Sequence, residues 1–597
     1  MSQLATLADA VLHAAANGDG RGYRFVKDDK WTEQFFSFEQ IEQSSARIAG
    51  AYQALGLRKG DRVALILPDN DQFILAFLAG LRSGIIPVPV YPPTGLGQLS
   101  GYLDNTTHIV SKSGARALIT TSVIKQLLGS VKAACPSLEH VTTFASLSEN
   151  SRRFEPVDVR PDDVAFLQFT SGSTSRPKGV VLTHANLLAN IRNIAGEGLG
   201  TDPTVDQGLT WLPLFHDMGL IGFVLTPLVN TIQVTFMSPL QFLKRPAVWL
   251  QAMSRYKGTI TFGPNFSYAL CVKRVRDREL EGVDLSSWRV AGCGAEPIRA
   301  ETLENFAQHF ARIGFRKEAF YPAYGLAEST LAVAFSRGVP TDSVEPAALW
   351  EEGKAVPANG ADGALRIVNC GPAFEGHEIA IFAMDDDNGG TRLPERTVGE
   401  IRLRGPSVSQ GYYLEPEASA KAFVDGWFRT GDLGYLANGN VFICGRQKEV
   451  IIVNGRNFYP QDIEWEASQV DGVRKGNVIA FGTRGPDDDA EFVVVALETA
   501  VTDLEQHATM ASEIRARVQE RIGITINDVV VLAAGALPKT SSGKLQRTRT
   551  RDLYDRGELS ERKSQREVDR VDQVKNLAKS QLEYLKLAVF GSRKKSS

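Results

Sequence analysis

The chain has 597 residues, 43% apolar and 23% charged, with a formal net charge of −3. That length corresponds to about four domain-sized units of roughly 150 residues each, with the composition of a soluble globular protein. With 66 basic against 69 acidic side chains there is no basic excess to neutralise phosphates, which argues against a general nucleic-acid binder.

In chain order, "LATLADAVLHAAA" carries Asp9 inside its apolar run and lacks a basic start, so it predicts an amphipathic helix and not a signal peptide. "RVALIL" predicts a buried strand, "NDQFILAFLAGLRSG" a helix ending at Gly84, and "IIPVPVYPP" an extended run stiffened by prolines. "ARALITT" and "HVTTF" are further short strands. "AFLQF" leads into a loop, and "HANLLANIRNI" then predicts a helix. Alternating strands and helices imply an α/β fold with largely parallel sheets. "LIGFVLTPLV" is too short to span a bilayer and contains Pro227.

After Gly360 the texture becomes short strands separated by turns: "LRIVNCG", "HEIAIFAM", "GEIRLRG", "VFICG". This predicts a small β-rich subdomain. A second module of α+β type begins near Gly445, with "KEVIIVNG", "GNVIAFGT", "EFVVVALE", the helix "MASEIRARVQERI" and the strand "DVVVLAAG". Residues 561–597 hold ten Lys/Arg and five Asp/Glu, with Val571, Val574, Ala578, Leu582, Leu585 and Val589 at helical spacing. This is a basic amphipathic tail that either packs on its own protein or makes a weak membrane or partner contact. Cys135, Cys271, Cys293, Cys370 and Cys444 are far apart and form no CxxC, which suits buried thiols in a reducing cytoplasm.

The loop "FTSGSTSRPKG" concentrates hydroxyls, glycine and a lysine after a strand. Gly172 permits a tight backbone, and the backbone amides and hydroxyls of Thr170, Ser171, Ser173, Thr174 and Ser175 can ring an anion beside Lys178. It is not a Walker A loop. "YPAYGLAEST" brings together Tyr324, which can stack on a base, Gly325, and Glu328, which can hold a hard cation through oxygen. "RTGDLG" puts Asp432 in a turn suited to ribose hydroxyls, "GRQKE" supplies Arg446 and Lys448, and "LPKTSSGKLQR" puts Lys544 at the tip of an exposed turn.

These motifs, in this order over about residues 35–555, resemble the adenylate-forming superfamily of acyl-CoA synthetases, peptide-synthetase adenylation domains and luciferases. The resemblance implies a large N-terminal domain (residues 1–445) of two α/β subdomains plus a small β-barrel-like subdomain. A small mobile α+β lid (446–560) follows it. ATP and Mg²⁺ are the implied cofactors. Residues 170–179 would close over the β- and γ-phosphates, and Tyr324 would stack on adenine. Gly294, Ala295 and Glu296 would run along the adenine edge. Glu328 would ligate Mg²⁺, and Asp432 would bind ribose beside Arg446. Lys448 would be the hinge, and Lys544 would bridge the substrate carboxylate and the α-phosphate. Two departures stand out: "SGSTSRPKG" has Ser175 where the family usually has glycine, and Ala327 of "YGLAE" lacks the usual hydroxyl.

"PVPVYPP", "WLPLFHDMGLIG", "TFGPNFSYAL", "CGAEPI" and "VNGRNFYPQDIE" look in particular like fatty acyl-AMP ligases. These pass an activated fatty acid to the phosphopantetheine thiol of an acyl carrier protein. The resemblance places His216 at the mouth of the acyl pocket, as a catalytic candidate, and Phe266 and Tyr268 on its walls. It also assigns a loop-like insertion at about 337–362, anchored by Leu349 and Trp350, that brakes domain rotation. No GxDSL-type carrier motif is present, so the acceptor is expected to be a separate holo carrier protein of a polyketide or peptide synthase. The alternatives are a fatty acyl-CoA synthetase and, in another class, a non-catalytic adenylate-binding scaffold.

Overall fold

The apolar runs Ile86–Pro89, Arg62–Leu65, Ala117–Thr120 and His140–Thr143 form a four-stranded parallel sheet in that spatial order. Ile86–Pro89 lies at its edge, where Pro87 and Pro89 cost no ladder bond. The computed structural model describes residues 4–93, 99–170, 176–358, 360, 363–384, 390–453, 456–484, 491–540 and 544–559. Residues 171–175 of the hydroxyl-rich loop, parts of the insertion and the basic tail at 561–597 lie outside the described residues.

A second sheet has eight strands. Its core is parallel, running Phe320–Gly325, Val290–Cys293, Ile260–Gly263, Gln207–Thr210, Gln233–Phe236 and Gly22–Val26, with an antiparallel strand at each edge. Parallel strands end together, so their carboxyl ends form one crevice edge, the usual ligand site of open α/β sheets. Gly294–Glu296 and Tyr324–Gly325 emerge at that edge. Helix Asn70–Ser83 stops where expected, with Gly84 in a left-handed conformation (φ 62°).

The hydroxyl-rich loop is not a strand-to-helix connection. It joins the antiparallel strands Val164–Thr170 and Lys178–Thr183, and helix His184–Asn193 begins only after the second strand. Thr170 and Lys178 are therefore direct cross-strand partners.

The β-rich subdomain is a five-stranded antiparallel sheet of Glu378–Phe382, Gly399–Arg404, Phe423–Val424, Trp427–Ala437 and Asn440–Arg446. Here the turn expectation for Asp432 is corrected: it lies inside the strand Trp427–Ala437, paired with Arg446. The "TG" that suggests a turn is accommodated by Gly431 at φ 68°. The C-terminal unit packs helices Pro460–Ser468 and Leu504–Ile522 against a three-stranded sheet of Val473–Arg484, Glu491–Thr499 and Asp528–Ala533. The segment expected to be a loop-like insertion holds a strand, Thr341–Val344, and a short helix, Pro346–Glu351. Pro346 starts that helix at a position whose N–H has no intrahelical partner. Among the described residues no helix is long and apolar enough to cross a membrane.

The N-terminal helix Leu7–Asn17 packs Leu7, Ala10, Val11 and Ala14 into the core, and its first turn meets a buried acceptor. The Leu7 N–H, an orphan donor of the first turn, donates to His184 Nδ1 at 3.1 Å. His184 is fully buried, and burial lowers its pKa to about 4. The unfolded chain binds this proton near pH 6.5 and the folded chain does not, so stability is lost as pH falls between those values. Thermal unfolding should show a slope of up to about 1.4 kcal/mol per pH unit between about pH 6.5 and 4. That component should be absent in His184→Gln; an identical pH profile for both proteins would contradict it.

Candidate active site

The strand ends, the β-rich subdomain and the C-terminal unit enclose a cleft of about 2680 Å³. Tyr324 ends its strand nearly buried and donates its hydroxyl to Asp432 Oδ2 at 2.9 Å, while Arg446 Nε lies 2.9 Å from Asp432 Oδ1. Neighbouring strands thus place a carboxylate between a phenol and a guanidinium, all three lining the cleft. Gly325 cannot be replaced without moving backbone, because a Cβ there would lie 1.9 Å from the Leu331 carbonyl oxygen. Beside it, Ala295 holds φ 68°, uncommon for a residue with a side chain and typical of sites where backbone is aimed at something. Gly294, Ala295 and Glu296 all line the cleft. The Glu296 carboxylate accepts the Phe266 N–H at 2.6 Å, and burial raises its pKa. It therefore caps the helix Asn265–Arg274 as well as facing the site.

Glu328 accepts a hydrogen bond on Oε1 from the Tyr412 hydroxyl at 2.8 Å, and burial raises its pKa. A cation beside it would restore the ionised form. Among the described residues no group of three or more His, Cys, Asp or Glu could by itself hold a metal. That fits Mg²⁺, which is held by one or two carboxylates together with substrate phosphates and not by an all-protein cage. Tyr412 also carries Lys178, whose Nζ lies 4.9 Å from the ring centroid. The Tyr413 N–H donates to Gly179 O at 2.7 Å, fastening this segment to the strand that follows the hydroxyl-rich loop. One tyrosine thus sets both the loop lysine and the candidate metal ligand. Thr170 also reaches the cleft; Ser171, Gly172, Ser173 and Thr174 lie outside the described residues.

Lys544 is not at an exposed tip. It is partly buried and lines the same cleft as Glu328 and Asp432. Burial lowers its pKa, and the carboxylates of Asp217 and Glu296 act in the opposite direction. Burial alone would raise the pKa of Asp217, but His216 and Lys544 outweigh it and lower it. His216 Nδ1 lies 2.6 Å from Asp217 Oδ1. Thr540 N–H donates to Lys544 O at 2.7 Å, and Lys544 N–H donates to Thr540 Oγ1 at 3.0 Å. Three residues on, Arg547 donates to Glu464 Oε1 at 2.6 Å, to Ala480 O at 2.9 Å, and to Glu449. Glu449 belongs to the short turn Gln447–Glu449, so exposed Lys448 sits between Arg446 in the site and a residue clamped by Arg547.

Part of the cleft lining is apolar, an arm of wall formed by Phe266, Gly222, Phe223, Phe262, Leu331 and Phe335. Two π-helical turns, Ile194–Gly198 and Ile221–Leu225, contribute to its wall; such turns are frequent at functional sites. Phe266 is on the wall as expected. Tyr268 is not: it is fully buried, donates to Gly292 O at 2.7 Å, and packs against Trp249, Phe306 and Phe320. Two residues apart on the helix, about 200° around its axis, the two aromatics fall on opposite faces. Asp217, Tyr412 and Arg547 are site residues that motif reading passed over. Asp217 stands next to His216, Tyr412 sits in "GYY", and Arg547 follows Lys544 by three, so each was adjacent to a visible signal.

Residues 13–413 match the AMP-binding enzyme family, and residues 455–551 match the AMP-binding enzyme C-terminal domain. A Caulobacter vibrioides protein provisionally named an acyl-CoA synthetase is 36% identical over 555 residues, covering 92% of this chain and 95% of its own. The medium-chain fatty acid–[acyl-carrier-protein] ligase JamA of Moorena producens is 33% identical over 581 residues, covering 94% and 96%. A structure from a study of fatty acyl-adenylate ligases of E. coli and L. pneumophila superimposes with a TM-score of 0.85 at 35% identity, covering 93% and 98%. The chain belongs to the AMP-binding, adenylate-forming enzymes.

Proposed function

We infer that the protein is a fatty acid–AMP ligase: it joins a medium- or long-chain fatty acid to AMP from ATP, releases pyrophosphate, and passes the acyl group to a separate holo acyl carrier protein. The observation that carries this reading is that Lys544, brought in by the C-terminal unit, shares one cleft with Glu328, with the Tyr324–Asp432–Arg446 set and with an apolar arm. A carboxylate whose tail fills the arm presents its head to the α-phosphate. One carboxylate oxygen attacks phosphorus, the bond to pyrophosphate breaks, and an acyl-adenylate forms. A carrier thiol then attacks the acyl carbonyl and AMP leaves. No protein nucleophile is needed; the residues position the reactants and neutralise charge. Lys544 offsets the negative charge of the approaching oxygens. Glu328 would hold Mg²⁺, which when bound would supply charge neutralisation at the leaving pyrophosphate.

We place the boundary between the two domains at Gly445–Arg446, the hinge at Lys448, and the adenine, ribose and phosphate contacts on the residues named above. Five buried, free cysteines support a cytoplasmic setting. For the acceptor we favour a carrier protein of a polyketide or peptide synthase over coenzyme A. Support comes from the segment at 337–362. Leu349 and Trp350 are buried, Trp350 lies 5.7 Å from Phe458 between ring centroids, and Glu351 pairs with Arg456 at 3.0 Å. These contacts join the insertion to the C-terminal unit in the arrangement that lodges Lys544 in the cleft. A rotation about Lys448 has to break them. If they are worth about 2–3 kcal/mol, a rotated arrangement becomes roughly 30- to 150-fold rarer.

Three outcomes test the reading. Fatty-acid-dependent ATP–pyrophosphate exchange should drop about 10²-fold or more in Lys544→Ala with the fold retained; a folded variant with near-normal exchange would remove Lys544 from the chemistry. Tyr412→Phe deletes the hydroxyl that holds Glu328 and should raise the Mg²⁺ concentration needed for half-maximal exchange by about 10-fold or more; an unchanged metal titration would make Tyr412 a packing residue only. Replacing 337–362 by a short Gly-Ser bridge should preserve adenylation and increase acyl-coenzyme A formation, measured by mass spectrometry of both products. Unchanged coenzyme A use by an excised protein that still adenylates would show that acceptor choice is set elsewhere.

A further inference from the structure

The mouth of the cleft carries a surface that adenylation does not use. Helix Pro239–Lys244 turns Leu240 and Leu243 outward, 66% and 44% exposed, while Phe242 between them is buried and stacks on Trp211 with ring centroids 3.9 Å apart. Residues three apart share a helix face, so the two leucines form one apolar ridge. At the end of helix Asn265–Arg274, Arg274 donates to the carbonyls of Leu243 and Lys244 at 3.1 and 3.3 Å. Two helix ends are thereby joined into one surface. Leu240, Leu243, Lys273 and Arg274 line the same cleft as Lys544 and Glu328.

The charge on this surface is one-sided. Segments 239–246 and 265–276 contain five Lys or Arg and no Asp or Glu, in a chain whose total is −3. Lys244 and Lys273 are exposed, and among the described residues neither has a carboxylate within ion-pair distance. Arg474 and Lys475 line the cleft from the C-terminal unit, although Arg474 is paired with Glu498 at 2.6 Å. A cluster of unpaired like charges at the edge of a cleft raises the local concentration of an oppositely charged partner and speeds its docking.

We propose that Leu240 and Leu243, ringed by Lys244, Arg245, Lys273 and Arg274, dock the acyl carrier protein through an acidic helix with apolar residues on its face. The proposal rests on the acceptor assigned above. The carrier's thiol must enter the cleft to reach the adenylate, so its body has to settle at the cleft mouth, and this rim offers both apolar contact and complementary charge there. An anionic membrane would satisfy the charge but would deliver no tethered thiol into a cleft between two domains.

The test uses the full chain, a holo acyl carrier protein of a polyketide synthase as the probe, and free pantetheine as a small thiol. In the Lys244→Glu/Lys273→Glu variant the KM for the carrier should rise by about tenfold or more with kcat little changed. Pyrophosphate exchange and transfer to pantetheine should stay at the level of the unaltered enzyme, which also reports that the variant is folded. A carrier with a helix glutamate changed to lysine should recover part of the loss. An unchanged carrier KM would overturn the proposal, as would a variant that loses only its pelleting with phosphatidylglycerol vesicles. An unaltered enzyme that adenylates but acylates no carrier would overturn the acceptor assignment, and this surface with it.

Discussion

A partly buried lysine ammonium placed among carboxylates is the constraint around which this protein is arranged. Burial disfavours the charged form of Lys544. Asp217 and Glu296 oppose that loss. Each carboxylate is itself held: Asp217 by His216, and Glu296 by the Phe266 N–H. The N-terminal domain therefore supplies a negatively charged seat into which the C-terminal unit delivers a positive charge. In the proposed function, substrate phosphate and carboxylate oxygens would meet that charge already positioned.

Keeping the ammonium in its seat is a mechanical problem, because Lys544 lies on a different unit from its partners. Arg547 ties the segment after Lys544 to Glu449 beside Lys448 and to Glu464 on helix Pro460–Ser468. Arg299 of the N-terminal domain reaches across to Asp462 at 2.9 Å and to the Gln461 carbonyl. Leu349 and Trp350 add an apolar contact from the insertion. These attachments differ in kind. The buried charge pairs specify one geometry, since breaking them strands a charge, whereas the apolar contact adds stability with less directional demand. Together they favour the arrangement in which adenylation chemistry can occur.

Elements with strong local signals were legible in the sequence. The parallel strands are short apolar runs, helix Asn70–Ser83 ends on a glycine that must be left-handed, and the C-terminal helix repeats its apolar positions Met510, Ile514, Val518 and Ile522. The insertion was harder to read: its glycines and prolines look like a loop, yet Thr341–Val344 is a strand because Leu365–Val368 offers it an antiparallel partner. Asp432 misled in the same way, since a Thr-Gly pair that favours a turn was overridden by the long ladder on both sides.

By itself the sequence determined which chemistry is present: the adenylate-forming motifs, the lysine, the carboxylates and the aromatic residues, each carried by a short local pattern. Only the tertiary structure decided how they act together. It put Tyr268 into the core and Phe266 on the wall, set Tyr412 beneath both Lys178 and Glu328, and sank Lys544 between Asp217 and Glu296. The physical reason is separation along the chain. Lys544 and Asp217 are more than three hundred residues apart, and a local pattern records what a residue can do, whereas burial and charge partners depend on which distant elements the fold brings beside it.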